Sequence, residues 1–370
     1  MNFEFSDEQN MLREQAQTFL RAECPPQAVR QVLDGDAPFD RALWQKVVDM
    51  GWTATAIPEA YDGLGLSYLE LSVIAEELGR ALAPIPFSSS VYLATEAILM
   101  AGSEAQKTAW LPKLAAGAVI GCLAAAETSG QASAAKLAVR YEDGKLSGSK
   151  RPVADGDVAD LAVVMATSES GPVLCLTDLN QAGVARTAIK TLDPSRSHAE
   201  IHFDQAAAEV LGGLGEGWDL LQALYDRAAV LFAWEQVGGS ETALEMAKDY
   251  SLGRFAFGRP IATYQAIKHK LAQAYVKNTL ARGNCYYGAW ALSTDAEDLP
   301  IAAASARVSA TQAYYYASKE NIQTHGGMGF TWEFDCQFPY RRSKLLAVNI
   351  GSEAIWQEKL IAAIEAQRAA

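Results

Sequence analysis

Two segments in the second half of the chain carry residue types suited to holding a phosphate group. The first reads Arg254-Phe-Ala-Phe-Gly258-Arg-Pro-Ile-Ala-Thr-Tyr-Gln265, and the second reads Gln323-Thr-His-Gly326-Gly327-Met-Gly-Phe-Thr. An arginine is always protonated and donates from a planar fork that matches phosphate oxygens. Adjacent glycines let a ligand approach the backbone and its N–H groups closely. An ordinary surface arginine and a glycine helix stop would explain the same residues without any ligand.

The overall charge limits the other ligands that the chain can bind. Its 370 residues include 31 Lys and Arg against 44 Asp and Glu, a formal net charge of -13. Such an acidic chain disfavours sequence-independent binding to nucleic acid or to an anionic membrane. Any anionic ligand must therefore meet local basic groups. No metal site is predicted either, because the histidines lack metal-ligand spacing; they are His198, His202, His269 and His325.

The cysteines and the N-terminal sequence indicate a cytoplasmic protein. The five cysteines have no CxxC spacing, which is typical of reduced thiols rather than a disulfide framework. The first residues lack the basic start and apolar stretch of a signal peptide. No segment reaches the roughly 18 uncharged apolar residues of a spanning helix, so no membrane insertion is expected.

Helical patterns occur at both ends of the chain, and those in the second half must position the phosphate-type residues. Ser6 and Gln9 form a capping-box pattern before apolar residues at helical spacing, and Pro25-Pro26 ends that helix. Further helices are predicted around 41–50, 69–82 and 91–101. After 217, long helical patterns run from Trp218 to about 256 and from 264 to 293. Another begins at Pro300 and stops at Gly326-Gly327, and the last covers 338–367 with a break near Gly351.

Between the two helical regions the pattern changes to that of β-strands. Short apolar or alternating runs occur at 161–165, 173–176 and 201–203, and turn-forming pairs separate them. The chain is therefore predicted to be mainly α-helical with a β domain in the middle. The predicted domains are 1–116, 117–216 and 217–370.

Both phosphate-type segments resemble the signatures of one enzyme family. The first is similar to the "R-x-x-F-G-x-x-I-x-x-x-Q" signature of acyl-CoA dehydrogenases, and the second resembles their "Q-x-x-G-G-x-G-(F/Y)-T" signature with Arg341-Arg342 downstream. Their order and spacing also match, which makes the pair far more specific than either alone. Weaker similarity extends across essentially the whole chain.

The resemblance implies a fold, a cofactor and an assembly. It implies an N-terminal helical domain, a middle β-barrel and a C-terminal four-helix bundle. It also implies an acyl-CoA substrate, a tetramer that shares each FAD across a dimer interface, and an electron-transfer flavoprotein as partner. The residues that would contact the ADP and pyrophosphate part of a FAD whose ring lies in the neighbouring subunit are Arg254, Phe257, Gln265, Gln323, Gly326 and Gly327.

The glutamate that the family uses as its catalytic base has no counterpart here. The usual position, before the Gly-Thr pair matched by Gly351-Ser352, is Ile350, which accepts no proton. The alternative position, 26 residues before Arg254, is Ala228. Asp226 is a weak candidate base, because residues two apart on a helix point in different directions. Glu235, farther along the same helix, is another, whereas Glu353 reads as a solvated helix charge.

The positions that would serve the flavin ring are also altered. Relatives carry Thr-Glu-Pro-x-x-Gly-Ser-Asp, whereas this chain has Ala126-Glu-Thr-Ser-Gly-Gln-Ala-Ser133, so both hydroxyl positions, Ala126 and Ala132, become alanine in a direct match. Local realignment would restore Thr128 or Ser133. After Lys150, the aromatic and threonine positions match Pro152 and Ala154.

These losses favour the hypothesis of a heteromer. Residues that serve a neighbour's FAD are present, whereas those that serve the chain's own flavin ring and base are degraded. Some relatives that act on steroid side chains form mixed tetramers with half the usual FAD sites, and this chain resembles the non-catalytic half of such an α2β2 enzyme. Three alternatives stay open: an autonomous homotetrameric dehydrogenase with an unusual base, a purely structural subunit, and an oxidase-like member of the same fold.

Overall fold

The chain is mostly helical, as its periodicity predicts. The computed structural model describes residues 5–128 and 133–369. The α-helices are α1 (Asp7–Glu23), α2 (Pro26–Asp34), α3 (Arg41–Asp49), α4 (Tyr68–Arg80), α5 (Glu96–Ala101), α6 (Glu104–Ala115), α7 (Gly217–Gly253), α8 (Gln265–Ser293), α9 (Leu299–His325), α10 (Gln337–Leu346) and α11 (Glu353–Ala369). The predicted break near Gly351 is confirmed, since it separates α10 from α11.

Local sequence signals account for where several helices begin and end. The Ser6 hydroxyl accepts from the Gln9 N–H, while the Gln9 side chain accepts from the Ser6 N–H. This reciprocal cap satisfies two donors that a helix start leaves open. At the end of α9, Gly326 takes φ 60° and ψ -135°. The predicted capping box and glycine stop are therefore confirmed.

One helix differs from its prediction. Ser88–Thr95 forms a π-helical stretch that leads directly into α5, so the helix predicted over 91–101 begins earlier and with a wider turn. Its buried serines use their hydroxyls: Ser89 donates to Asp155, and Ser90 accepts from the Gly121 N–H at 3.2 Å. Such polar partners come from distant sequence positions, which local periodicity does not reveal.

The middle region forms one sheet. Its strands are β1 (Gly121–Ala124), β2 (Arg140–Glu142), β3 (Lys145–Ala154), β4 (Leu161–Ser168), β5 (Gly171–Asp178), β6 (Val184–Ala188), β7 (His198–Ala207) and β8 (Glu209–Leu211). The order is β6-β7-β3-β2-β4-β5-β8, and β1 pairs in parallel with β4. A small hairpin, β9 (Phe255–Ala256) with β10 (Arg259–Pro260), stands apart. The predicted β domain is confirmed, whereas its closure into a barrel stays a prediction.

The chain divides into two compact units, each built from separate segments. The first unit contains Met1–Arg30, Tyr68–Ala83 and Ala229–Ala370, and the second contains Gln31–Ser67 and Pro84–Ala228. The predicted division at 116 and 216 is not tested by this grouping and stays a prediction. None of the described helices combines the length and apolar character needed to cross a lipid bilayer.

In the first unit, neighbouring long helices run antiparallel. Lys270 of α8 lies 2.8 Å from Glu320 of α9, and Asn284 donates to Ser309 at 3.1 Å. Contacts between α7 and α8 follow the same sense, joining Trp234 to Cys285 and Glu241 to Arg282. The final turns of α7 and α9 and the first turn of α8 therefore lie at the same end of this unit.

In the second unit, the sheet packs against short helices. Leu161, Val163 and Met165 of β4 are fully buried, and Leu111 of α6 and Ile98 of α5 pack in the same apolar cluster. Alternate strand residues face one side of a sheet, so this run supplies one continuous apolar surface to the helices. Ala125, in the segment that follows β1, packs in the same cluster.

Candidate cofactor site

Arg254 directly follows α7 and is open to solvent. Its N–H donates to the Tyr250 carbonyl at 2.9 Å, which extends the helix ladder by one bond. Its side chain is exposed, and among the described residues its guanidinium forms neither a hydrogen bond nor an ion pair. The packing of this chain therefore leaves all of its side-chain donors available.

The hairpin after Arg254 presents an aromatic ring at its tip. Phe257 and Gly258 connect β9 to β10 and have φ values of 52° and 79°. Positive φ at both central residues matches the twist of a two-residue hairpin, but a phenylalanine there costs on the order of 1 kcal/mol or more. The Phe257 side chain is 97% exposed. The Tyr264 hydroxyl holds the hairpin by donating to the Ala256 carbonyl at 2.9 Å, but the Phe257 ring itself has no ring partner among the described residues.

Two glutamines lie at the same end of the first unit. Gln265 begins α8, and Gln323 lies in the last turn of α9. Because α8 and α9 run antiparallel, with Lys270 beside Glu320, these positions are brought together. Both side chains are exposed and have no side-chain partner among the described residues.

Gly326 and Gly327 leave open space above the backbone. A Cβ built on either glycine would meet no heavy atom within 4 Å. Close packing within the chain therefore does not require glycine here. At Gly326 the positive φ does favour glycine, while at Gly327 the open space is the notable feature. Both positions can accept close approach by a flat or branched ligand.

An aromatic stack joins the ends of α7 and α9. The rings of Tyr250 and His325 stack with centroids 4.1 Å apart, one turn before Arg254 and directly before Gly326. His325 is buried and its Nδ1 donates to the Asn321 carbonyl at 2.9 Å. Burial lowers the pKa of His325 despite that hydrogen bond, so the ring is neutral at pH 7. The hydrogen bond and the stacked ring give His325 a structural role at the end of α9.

The grouped residues can bind an extended anionic ligand. Arg254 supplies a fixed positive charge, and the first turn of α8 adds the positive end of a helix whose N-cap makes no side-chain hydrogen bond. Gln265 and Gln323 can each donate and accept. This set suits a nucleotide pyrophosphate, and Phe257 offers a surface for a second chain or a ring.

The two positions matched to the family's base hold buried apolar side chains. Ile350 is 3% exposed, and its carbonyl accepts from the Trp356 indole N–H at 3.2 Å. Ala228 is completely buried in α7. Neither side chain can take a proton.

The nearby carboxylates are engaged in structural contacts. Glu235 is buried, and one of its oxygens lies 3.5 Å from the Arg342 guanidinium. Glu353, in the first turn of α11, accepts from Gln312 at 2.7 Å. Asp226 is also buried in α7, at 8% exposure. The ion pair gives Glu235 a structural contact, and its alternative role as a base stays a prediction.

In the second unit, Glu127 is held by several donors. Its carboxylate accepts from the Lys150 ammonium at 2.7 Å, from the Ala138 N–H at 2.7 Å and from the Val139 N–H at 3.0 Å. Lys150 is fully buried. Burial pushes the pKa of Glu127 upward, but these donors hold it below its usual value. Glu127 is therefore an ionised structural anchor.

The predicted ring-facing positions lie close to this anchor. The Arg151 N–H donates to the Ala126 carbonyl at 2.8 Å, which fixes the segment after β1 beside β3. Pro152 is exposed and Ala154 is half-buried. The alternative hydroxyls of Thr128 and Ser133 flank Ala132, which lies outside the described residues. None of the described matched positions supplies a hydroxyl or an aromatic ring in the direct match.

Several structural residues escaped the sequence analysis. Tyr250 joins α7 to the glycine turn by stacking on His325. Its position four residues before Arg254, on the same face of the helix, is the sequence signal that could have identified it. Arg307 donates to Gln236 and Asn349, each at 2.8 Å, and is 1% exposed. Burial lowers the pKa of Arg307 to about 9, with Glu235 opposing the shift. No local pattern distinguishes such a buried arginine from a surface one.

Comparison with protein-family models gives matches at both ends of the chain. Residues 6–118 match the acyl-CoA dehydrogenase N-terminal domain, and residues 215–365 match the acyl-CoA dehydrogenase C-terminal domain. Together these matches cover more than half of the chain.

Whole-chain relatives agree with those models. The chain is 32% identical over 340 residues to acyl-CoA dehydrogenase IpdE2 of Mycobacterium tuberculosis, covering 91% of each sequence. A chain of the ChsE4-ChsE5 complex from Mycobacterium tuberculosis is 25% identical, with a TM-score of 0.89 and 99% of both chains covered. A chain in a structure of the electron transferring flavoprotein of Acidaminococcus fermentans is 25% identical, with a TM-score of 0.90, covering 98% of this chain and 99% of that one.

Proposed function

This chain belongs to the acyl-CoA dehydrogenase family, and we propose that it serves there as a subunit that binds the ADP and pyrophosphate part of FAD while a partner supplies the catalytic base. Members of this family are FAD-dependent oxidoreductases of lipid metabolism. Such an enzyme needs both residues that hold FAD and a catalytic base, and this chain would contribute the former.

The observation that carries the proposal is a set of exposed polar groups without internal partners. Arg254, Gln265 and Gln323 lie at one end of the first unit, and none is bonded through its side chain to a described residue. The open backbone at Gly326 and Gly327 completes the set. Stability of the isolated chain does not account for such an arrangement, whereas a shared dinucleotide does.

Each residue has a defined part in this binding. The Arg254 guanidinium would donate to pyrophosphate oxygens, and Gln265 and Gln323 would hydrogen-bond the neighbouring nucleotide atoms. Gly326 and Gly327 would let the backbone approach the ligand, and Phe257 would pack against the neighbouring subunit. Bound FAD would accept the hydride lost from the β-carbon of an acyl-CoA thioester, which leaves a 2-enoyl-CoA.

At the positions that the family uses for its base, this chain offers no acceptor for the proton of that reaction. Ile350 and Ala228 carry no titratable group, and Glu235 is paired with Arg342. We therefore assign the α-proton to a glutamate of a second acyl-CoA dehydrogenase-type subunit. The similarity to the ChsE4-ChsE5 complex supports a heteromer over a homotetramer.

The remaining parts of the proposal follow the family resemblance. The assembly would be an α2β2 tetramer, with an electron-transfer flavoprotein as acceptor, a choice supported by the similarity to the Acidaminococcus fermentans structure. The sheet would close as a β-barrel between the predicted helical domain and the four-helix bundle, with the proposed domain limits at 116 and 216.

Counting flavins in purified assemblies tests the proposal. The chain is expressed alone and together with a base-containing acyl-CoA dehydrogenase-type subunit, and flavin absorbance is compared with protein concentration. We expect a nearly colourless chain alone, and one flavin for every two chains in the mixed assembly. A yellow chain that holds one flavin per polypeptide and oxidises acyl-CoA by itself would overturn the proposal. Peroxide release by the isolated yellow chain would instead identify an oxidase.

A further inference from the structure

A cavity lies within the first unit, away from the six residues assigned to the cofactor. It has a volume of about 290 Å³. Its walls come from the end of α1, the start of α2, the end of α4, the last third of α7 and the start of α10. A space of this size is at the lower end of the range for small-molecule sites.

Most of the cavity wall is apolar. Leu20, Val29, Leu82 and Phe338 all line it and are at most 6% exposed. Met246 adds a flexible thioether, which adapts to irregular ligand shapes. A ligand that fills this part must present a compact hydrocarbon or aromatic body.

The charged groups in the wall are balanced. Arg80 donates to the carboxylates of Glu76 and Glu77 at 3.0 and 2.9 Å, so the buried charges are already matched. Arg21 and Glu245 are exposed lining residues of opposite charge. Asp335, the remaining charged lining residue, is paired with Arg30 outside the wall, so a neutral molecule meets no unpaired buried charge in this cavity.

Thr242 supplies a neutral acceptor in the wall, besides the acceptor carboxylates of Glu77, Glu245 and Asp335. The Thr242 hydroxyl donates its single hydrogen to the Arg80 carbonyl at 2.7 Å, which leaves the oxygen lone pairs for a ligand. Gln17 also lines the cavity, but it keeps a second amide hydrogen after donating to Glu77 at 3.1 Å. Thr242 therefore selects a ligand that donates.

We propose that this cavity binds a neutral aromatic or alicyclic alcohol, with its ring against Met246 and Phe338 and its hydroxyl donating to Thr242. The proposal is independent of the cofactor assignment, because no residue of the cavity wall belongs to that set. The site would give the protein a third small-molecule ligand, in addition to FAD and acyl-CoA.

Paired probes test the hydroxyl requirement directly. The purified full chain, or its assembly with a partner, is titrated with 2-naphthol and with 2-methoxynaphthalene, which has the same rings but no donor. We expect saturable binding of 2-naphthol and about fivefold weaker binding of the ether, the effect of one net hydrogen bond. Equal affinities for the two probes, or no saturable binding of 2-naphthol, would overturn the proposal.

Variants locate the site and control for folding. Met246→Trp should fill the cavity and abolish probe binding, whereas Leu252→Trp, at an exposed position of the same helix, should leave it unchanged. Thr242→Val should remove the preference for 2-naphthol, and Thr242→Ser should restore it. The two Thr242 variants still test the proposal if Met246→Trp does not fold. Unchanged preference in Thr242→Val shows that Thr242 is not the acceptor and defeats the assignment.

Discussion

The helix ends around Arg254 and the loop around Ile350 are packed in opposite ways. At the first, charged and polar side chains stand exposed without described side-chain partners. At the second, an isoleucine is 3% exposed, and the backbone carbonyl beside Gly351 is bonded to an indole. Folding stability explains why Ile350 is buried and why its carbonyl is hydrogen-bonded. It does not explain the exposed polar side chains around Arg254. The contrast teaches that the proposed binding residues lie where the packing of this chain does not use them, whereas the position matched to the base is part of its core.

The largest expected effect is a loss of stability when the Glu127–Lys150 pair is broken. The experiment tests whether this pair supports the fold, like the region around Ile350, or binds a ligand, as proposed for the region around Arg254. Glu127→Gln leaves the fully buried Lys150 ammonium without its counter-charge, so we expect the free energy of unfolding to fall by about 3 kcal/mol in urea denaturation. The double variant with Lys150→Met should recover part of the loss. Normal stability with lost flavin would instead make Glu127 a binding residue.

The same carboxylate sets a pH dependence. Because the pKa of Glu127 is lowered in the folded chain, its contribution to stability is present above its ordinary value of 4.5 and is lost as pH falls through the lowered pKa. Urea denaturation at pH 7 and below 4 should therefore show a smaller pH effect in Glu127→Gln than in the parent chain. An identical pH effect in both would contradict this assignment.

Arg254→Ala is the sharpest test of the exposed side of the comparison. Losing charge-assisted hydrogen bonds worth about 1.5–3 kcal/mol should weaken FAD retention by roughly tenfold to a hundredfold. Flavin per chain after gel filtration of the assembly measures it. Lys248→Ala removes another exposed cation from α7 and should retain flavin normally. Equal retention in both variants would remove the basis of the proposed function.

A smaller effect is expected at the glycine turn. Gly326→Ala forces a Cβ into a positive-φ conformation and should lower the free energy of unfolding by about 1–2 kcal/mol. Gly327→Ala is the matched control, because its φ lies outside the positive range and the space above it is open. Thermal unfolding of the two variants should therefore separate them. Equal losses would mean that packing, and not backbone conformation, sets the cost.

The smallest effect is expected at Asp226. If a partner supplies the base, Asp226→Asn should change the turnover of the mixed assembly by less than about twofold, since it removes no proton acceptor used in the reaction. Steady-state acyl-CoA oxidation measures this. A loss of several orders of magnitude would make Asp226 the base and erase the distinction between the two regions.

The sequence was most informative where local signals decide structure. The Ser6 capping box, the stop at Gly326 and the break at Gly351 all depend on a few neighbouring residues. The π-helical start at Ser88 was missed, because its hydroxyls are bonded to Asp155 and Gly121, which are far away in sequence. Sheet order was equally hidden, since it depends on which distant strands meet.

In the candidate site, too, local sequence signals were predictable and contacts between distant residues were not. Residue types and spacing identified Arg254 and Gly326 as suited to phosphate, but not that Tyr250 and His325 join their helices. Likewise, the substitution at Ile350 was readable from the sequence, whereas the Glu235–Arg342 pair was not. Contacts between residues distant in sequence decide whether a carboxylate is available as a base or is held in a structural ion pair.

The ring of Phe257 has a consequence for how such a polypeptide must be produced. Phe257 exposes almost all of its side chain on a hairpin tip with positive φ. If the proposed partner subunit covers this ring, copies made in excess of that partner would leave its apolar surface in water, so balanced synthesis of the two chains would favour the assembled form. Dosage of the two genes, and not only their sequences, would then set the yield of working enzyme.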